Sequence, residues 1–192
     1  TDIGEGDHLG MNYVDTVEML ASIKRVIVQN VAETGYAVLN AADPHTLAMA
    51  PMCPGQVILF AVDGRLPALA VHRAQGRRAV FVEGSDIVAT EGSARARLPL
   101  RDVPLTRGGT IGFQVENTLA AVAAAWGAGL SFDAVRSGLA SFVNDADNAP
   151  GRFNVIDYRG GTVIADYGHN PDAMRALVGA ATGATRTSST RP

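Results

Sequence analysis

The sequence predicts an α/β fold that includes a small antiparallel β meander. Three patterns lead to this expectation. Apolar residues recur at helical spacing over residues 14–32. Short apolar runs that suit buried strands alternate with helical stretches, which is typical of a sheet with covering helices. Between residues 68 and 105, short strand-like runs are separated by glycine-containing turns, and this spacing favours antiparallel strands.

The first half of the chain begins with residues 1–3, which read as the end of a strand, and a loop that leads into the helix over 14–32. Gly35 ends that helix. We then expect a strand, a short helix and a second strand, over 36–39, 46–52 and 57–60. His45 belongs to the start of the short helix.

The middle of the chain contains the expected meander, with strands over 79–82, 86–89 and 94–98. His72 is expected in a loop or an edge strand before them. Two helices follow, over 113–128 and 132–142. Trp126 is a predicted core residue of the first helix, and Ser131 is the predicted N-cap of the second.

A polar, acidic segment at 144–149 is the best domain boundary, and it divides residues 1–148 from residues 149–182. In the second unit, a turn at Gly160-Gly161 separates two strands, of which the second covers 162–165. Asn170 and Pro171 then open a helix, as N-cap and first helical residue. Residues 183–192 are rich in Thr, Ser and Arg, and we expect them to be disordered.

Composition excludes several classes of partner. The net charge of −3 provides no basic surface for nucleic acid. No apolar run approaches the ~20 residues that a membrane helix needs. The single Cys53 excludes an internal disulfide and suits a reducing, cytoplasmic environment. Homo-oligomerisation stays open.

Charged side chains gather around the predicted strand at 162–165. Asp166 and His169 follow its C-terminal end, and Arg152 lies upstream. Ligands of α/β proteins bind outside the carboxyl ends of strands, near helix N-termini. Because a carboxylate can bind ribose hydroxyls and an arginine can bind phosphate, this pattern predicts a nucleotide site. The alternative for Asp166 and His169 is mutual capping of the strand–helix turn.

Lys24 is the only lysine among 16 basic residues. A lysine can lose its proton and act as a nucleophile, whereas arginine keeps its charge, so a chemical role is one interpretation of Lys24. A solvated helix residue is the other. His8 lies upstream, and the intervening loop and helix can fold back to bring both side chains to one site.

Four segments resemble the Mur-type amide ligases. They are GDHLGMN with TVEMLASIKRV (7–26), GYAVLNAADP (35–44), PLTRGGTIGFQVENTLAAVAAAW (104–126) and PGRF with DYGHNPDA (150–173). A fifth, AVHRAQGRRAVFV (70–82), is more similar to the cyanophycin synthetase branch than to the cell-wall branch. The resemblance runs from residue 1 to about 182. It implies that residues 1–148 are the second part of a central ATP-binding domain, and that 149–182 start a Rossmann-like C-terminal domain.

The resemblance also implies roles for single residues. His8 matches a ligand of a second Mg²⁺, and Lys24 matches a catalytic lysine that is often carbamylated and thereby becomes a metal-binding anion.

For the nucleotide, the resemblance places Asn117 at the adenine edge, Arg152 near the phosphates and Asp166 at the ribose. Tyr167 and His169 lie beside the nucleotide or hold the loop.

The reaction implied by the resemblance is ATP-dependent amide bond formation through an acyl phosphate, with ATP and Mg²⁺ as cofactors. In the cyanophycin branch, arginine is joined to the aspartate side chains of a poly-aspartate primer. The alternatives are another Mur-type ligase, acting on cell-wall precursors or folylpolyglutamate, and a non-catalytic nucleotide-binding remnant. The phosphate-loop pattern G-x-x-x-x-G-K-[ST] is absent from the sequence. We therefore expect a fragment that is inactive by itself.

Overall fold

A five-stranded mixed sheet forms the centre of the protein. The computed structural model describes residues 3, 9–10 and 12–188, with side chains up to residue 181. The strands lie in sequential order: β1 (Tyr36–Asn40), β2 (Gln56–Asp63), β3 (Ala79–Glu83), β4 (Asp86–Glu91) and β5 (Ala94–Pro99). β1, β2 and β3 are parallel, whereas β4 and β5 continue as an antiparallel meander.

Helices cover the sheet and a two-stranded hairpin follows it. The helices are α1 (Val17–Gln29), α2 (Pro44–Leu47), α3 (Pro67–Ala74), α4 (Gly112–Gly127), α5 (Phe132–Ser141) and α6 (Pro171–Ser188). Short 3-10 helices occur at Ala50–Met52, Leu100–Asp102 and Pro104–Thr106. The antiparallel hairpin consists of β6 (Asn154–Tyr158) and β7 (Gly161–Ala165). No described helix is long and apolar enough to cross a membrane.

The two faces of the sheet carry separate hydrophobic cores. Side chains alternate along a strand, so Leu59 and Ala61 of β2 face the core that α1 and α3 cover. Ile58 and Phe60 face the core that α4 and α5 cover. Both cores therefore depend on the same buried strand.

Helix α4 lies across the parallel strands and also contacts the C-terminal unit. Leu119 and Ala123 are fully buried against the sheet. At the N-terminal end of the helix, the ring of Phe113 packs edge-on against Phe153, with centroids 5.3 Å apart. Ile111 joins the same cluster. The packing of α4 thus fixes the position of the C-terminal unit next to the sheet.

The predicted α/β class and the β meander are confirmed, and Ser131 and Asn170 cap their helices as expected. The expectation for His72 is wrong, because residues 67–74 form helix α3 and His72 is buried within it, 6% exposed. Its Nε2 lies 3.0 Å from the carbonyl oxygen of Arg78. A helix of eight residues is too short to show a clear period, and Pro67 at its start resembles a turn signal.

Helix α1 buries fewer of its apolar residues than its spacing suggests. Leu20 and Val28 are buried, but Ile23 and Ile27 are 54% and 73% exposed. At the other end of the chain, α6 extends to Ser188, further than the expected boundary at residue 182, and residues 189–192 lie outside the described part.

We predict that His72 makes stability depend on pH. Burial lowers the pKa of His72 below the ordinary value of 6.5, so between the two pKa values the unfolded chain binds a proton at this position and the folded chain does not. The free energy of unfolding should therefore be highest above pH 6.5 and should decrease as the pH falls toward the pKa of the folded state. The variant His72→Gln, which keeps a donor for the Arg78 carbonyl, should unfold in urea with a flatter pH dependence between about pH 5 and 7.5. His45→Gln serves as the control, and an equal slope in all three proteins would contradict the assignment.

Candidate functional site

A cleft of about 350 Å³ lies between α4 and the C-terminal unit. Asn117 of α4, Arg152 of the loop before β6 and Asp166 after β7 all line it. Phe113 and Phe142 supply apolar walls. The structure therefore brings the three predicted nucleotide contacts to one place.

The carboxylate of Asp166 holds the loop that carries Arg152. Its Oδ2 accepts a hydrogen bond from the backbone N–H of Phe153 at 2.8 Å, and its Oδ1 accepts one from Gly168 at 2.6 Å. Phe153 has a φ of +55°, which is uncommon for a residue other than glycine. Because Phe153 is also 2% exposed, its N–H needs a partner inside the protein. Asp166 provides that partner.

Two asparagines hydrogen-bond to the backbone of the loop that carries Arg152. Asn144 donates from Nδ2 to the carbonyl of Arg152 at 2.9 Å. Asn154 is 2% exposed, donates to the carbonyl of Ala149 at 3.0 Å and accepts from the N–H of Gly151 at 2.7 Å. These bonds hold the backbone on both sides of Arg152. Sequence reasoning missed both asparagines, although amides beside a Pro-Gly turn are a signal for such bonding.

Asn117 lies in the second turn of α4 with its side chain exposed to the cleft. Its Nδ2 donates to Oε1 of Gln114 at 3.3 Å, and Gln114 itself is 6% exposed. The bond therefore orients the Asn117 amide in the lining of the cleft. An amide that can donate and accept suits the edge of a purine base.

Tyr167 and His169 lie beside Arg152 rather than in the lining of the cleft. Their rings are 5.2 Å apart, and the Arg152 guanidinium carbon is 5.8 Å from the Tyr167 ring centre. Nδ1 of His169 lies 3.1 Å from the carbonyl oxygen of Tyr167. Tyr167 is 67% exposed, so its ring offers a stacking surface at the margin of the cleft.

Known proteins resemble this chain in sequence and in fold. A cyanophycin synthetase of Synechocystis sp. is 36% identical over 172 residues, which is 89% of this chain and 20% of that protein. A UDP-N-acetylmuramate–L-alanine ligase of Azoarcus sp. is 33% identical over 153 residues, 78% of this chain and 31% of that protein. The crystal structure of MurF from Acinetobacter baumannii superposes on 91% of this chain with a TM-score of 0.60 at 23% identity, a likeness of fold.

The chain is Mur-ligase-like. It spans about a fifth of the length of the cyanophycin synthetases that it matches. No protein-family model matches it.

In this Mur-ligase-like chain, Lys24 and Asn117 lie on different sides of the sheet. Lys24 is half-buried on α1, which packs against one face, whereas Asn117 is on α4, which packs against the other. His8 lies outside the described residues, so its pairing with Lys24 stays a prediction. Within the described ranges, no group of three or more His, Cys, Asp or Glu side chains could hold a metal ion. The described residues alone therefore do not form a magnesium site.

A second set of buried polar residues connects β1 to α4. Asn40 is 3% exposed, and its Nδ2 donates to Oε1 of Glu116 at 2.6 Å. Asp43 caps α2 through the N–H of His45 and accepts from the N–H of Ile3, both at 2.8 Å. Sequence reasoning did not select Asn40, Asp43 or Glu116, although Asn and Asp directly after a buried strand are typical of sites at the carboxyl edge of a sheet.

We predict that Asp166 stabilises the fold as well as lining the cleft. Asp166→Asn replaces one acceptor with an N–H that faces a backbone N–H, so the free energy of unfolding should fall by roughly 1–3 kcal/mol. Urea denaturation measures the change. Asp157→Asn, at an exposed position of β6, is the matched control and should have little effect. Equal stability of the two variants would contradict the role of Asp166.

Proposed function

We propose that this chain carries the adenine- and ribose-binding side of an ATP-dependent amide ligase, and that this ligase makes cyanophycin. The observation that carries the proposal is the single cleft lined by Asn117, Arg152 and Asp166. The 36% identity to a cyanophycin synthetase over 89% of the chain favours that branch. Similarity to a UDP-N-acetylmuramate–L-alanine ligase covers 78% of the chain at 33%, which makes a cell-wall precursor the second candidate substrate.

The three side chains have complementary tasks in this proposal. The Asn117 amide pairs with the adenine edge, and the Arg152 guanidinium balances phosphate charge. Each carboxylate oxygen of Asp166 accepts one backbone N–H, and each has a further lone pair. Those lone pairs accept the ribose hydroxyls. Asp166 thus couples nucleotide binding to the conformation of the loop that presents Arg152.

The proposed reaction activates a carboxylate with ATP. The carboxylate attacks the γ-phosphorus of ATP and ADP leaves, which gives an acyl phosphate. An amine then attacks the acyl carbon, loses a proton and expels inorganic phosphate, which leaves an amide. In the cyanophycin reaction the carboxylate is an aspartate side chain of a poly-aspartate primer and the amine belongs to arginine. Such transfer depends on positioning and on charge stabilisation, to which Arg152 contributes. The described residues do not by themselves form a site for Mg²⁺.

The chain by itself is proposed to bind ATP without turning it over. In such enzymes the phosphate loop makes the main contacts to the triphosphate, and its sequence pattern is absent from this sequence. We therefore expect this chain to bind ATP weakly. We place the reaction in the cytoplasm, where ATP is available and a lone cysteine stays reduced.

We predict that Arg152→Gln weakens ATP binding by roughly 5- to 30-fold, because one charge-assisted contact to phosphate is lost. Titration calorimetry with ATP measures the change. Arg159→Gln is the matched control, since Arg159 lies in the β6–β7 turn and contacts Tyr158 instead of the cleft. Equal weakening in both variants, or none in either, would argue against a nucleotide in this cleft.

Lys24 is proposed as a catalytic residue of the complete enzyme through carbamylation. Lys24→Arg keeps the positive charge but cannot form a carbamate, so primer-dependent phosphate release should fall strongly. Gln29→Arg, which adds a guanidinium at an exposed position of the same helix, is the control. Near-normal turnover of the Lys24→Arg enzyme would show that Lys24 is not a catalytic residue.

A further inference from the structure

The segment AVHRAQGRRAVFV, residues 70–82, forms the end of α3 and most of β3. A cleft of about 410 Å³ lies beside it, between the last turn of α3 and the turn that joins β4 to β5. Arg73, Thr90, Ser93 and Arg95 line this cleft. Nothing in the nucleotide site uses these residues.

Arg73 is a half-buried cation without a carboxylate partner among the described residues. Its guanidinium carbon lies 4.3 Å from the centre of the Phe81 ring, and Phe81 is 1% exposed. Within the described residues Arg73 makes no ion pair, whereas Arg95 pairs with Glu83 and Arg78 with Glu91. The stacked ring holds the guanidinium plane in place while its N–H groups stay available. A guanidinium group held in this way is preorganised to donate hydrogen bonds to an oxyanion.

Thr90 provides an independent observation in the same cleft. The residue is 8% exposed, and its hydroxyl is shielded from solvent without a hydrogen-bond partner among the described residues. Buried hydroxyls are normally satisfied, so the unsatisfied hydroxyl of a residue that lines the cleft points to a missing ligand. An incoming oxygen would supply the acceptor that the hydroxyl lacks.

The placement of these groups separates this cleft from the nucleotide site. Thr90 and Arg95 are directly opposed on neighbouring strands, so their side chains share one sheet face. Val88, two residues before Thr90, belongs to the core that α1 and α3 cover. The nucleotide cleft is on the α4 side. The two clefts therefore lie on opposite faces of the sheet.

Charge and helix direction select the class of ligand. Residues 66–99 contain five arginines and three acidic residues, a net charge of +2, although the whole chain carries −3. This region therefore attracts anions. The cleft meets the C-terminal end of α3, whose carbonyl groups carry partial negative charge. That end tolerates a single negative charge better than the double charge of a phosphate.

We propose that this cleft binds a carboxylate, with the Arg73 guanidinium as its ion partner and the Thr90 hydroxyl as its second donor. The carboxylate belongs to an acidic peptide or to a small organic acid. This site goes beyond the proposed function, because it uses none of the nucleotide contacts and its test requires no ATP.

The test is an NMR titration of the labelled chain with a capped tetra-aspartate peptide, with acetate and with inorganic phosphate. We expect the amides around Arg73 and Thr90 to shift with the peptide or with acetate, and the peptide to bind more tightly if it is the source. Arg73→Gln and Thr90→Val should each weaken binding at least about fivefold. Arg101→Gln removes an equally charged, 83% exposed side chain outside the cleft and should bind as the parent does.

Thr90→Val also has a readout that does not depend on the ligand. Removing an unsatisfied buried hydroxyl should leave the melting temperature unchanged or raise it by about 2–4 °C. Weaker carboxylate binding in a protein of equal or greater stability would support the site. Unchanged binding in both cleft variants, equal loss in Arg101→Gln, or a preference for phosphate over both carboxylates would overturn it.

Discussion

The burial of α4 between the sheet and the C-terminal unit is the constraint on which the rest of the structure depends. Leu119 and Ala123 of this helix are fully buried over the parallel strands. The ring of Phe113, at its N-terminal end, packs 5.3 Å from the ring of Phe153. Since Phe153 directly follows Arg152, the helix that covers the sheet also sets the distance between Asn117 and the loop that carries Arg152. The cleft is thus a consequence of packing.

Asp166 transmits that constraint to the other side of the cleft. Its two oxygens accept hydrogen bonds from the N–H groups of Phe153 and Gly168, so the side chain connects the loop before β6 to the segment that joins β7 to α6. Because Asp166 satisfies buried backbone groups, it cannot be changed without an effect on stability. Its partners are the N–H groups of Phe153 and Gly168 rather than His169, so the bonds differ from the mutual capping considered for Asp166 and His169.

Much of the fold follows from the sequence because the strands are short and apolar and the helices are periodic. β1, α4 and α5 begin and end within one residue of their predicted limits. α3 was missed because eight residues that start with proline show neither a full period nor a clear cap.

The candidate site could be predicted only in part. Asn117, Arg152 and Asp166 carry recognisable chemistry next to strand or helix ends. Asn154 has a sequence signal in its position beside a Pro-Gly turn, whereas Thr90 has none, since its importance rests on what lies close to it in the folded chain.

The most direct test of the nucleotide cleft is a crystal structure of this chain with a non-hydrolysable ATP analogue. We expect the adenine edge to lie within hydrogen-bond distance of the Asn117 amide, the ribose hydroxyls to contact Asp166, and Arg152 to face the phosphates. A nucleotide bound elsewhere on the chain, or one in the cleft that contacts none of these three side chains, would contradict it.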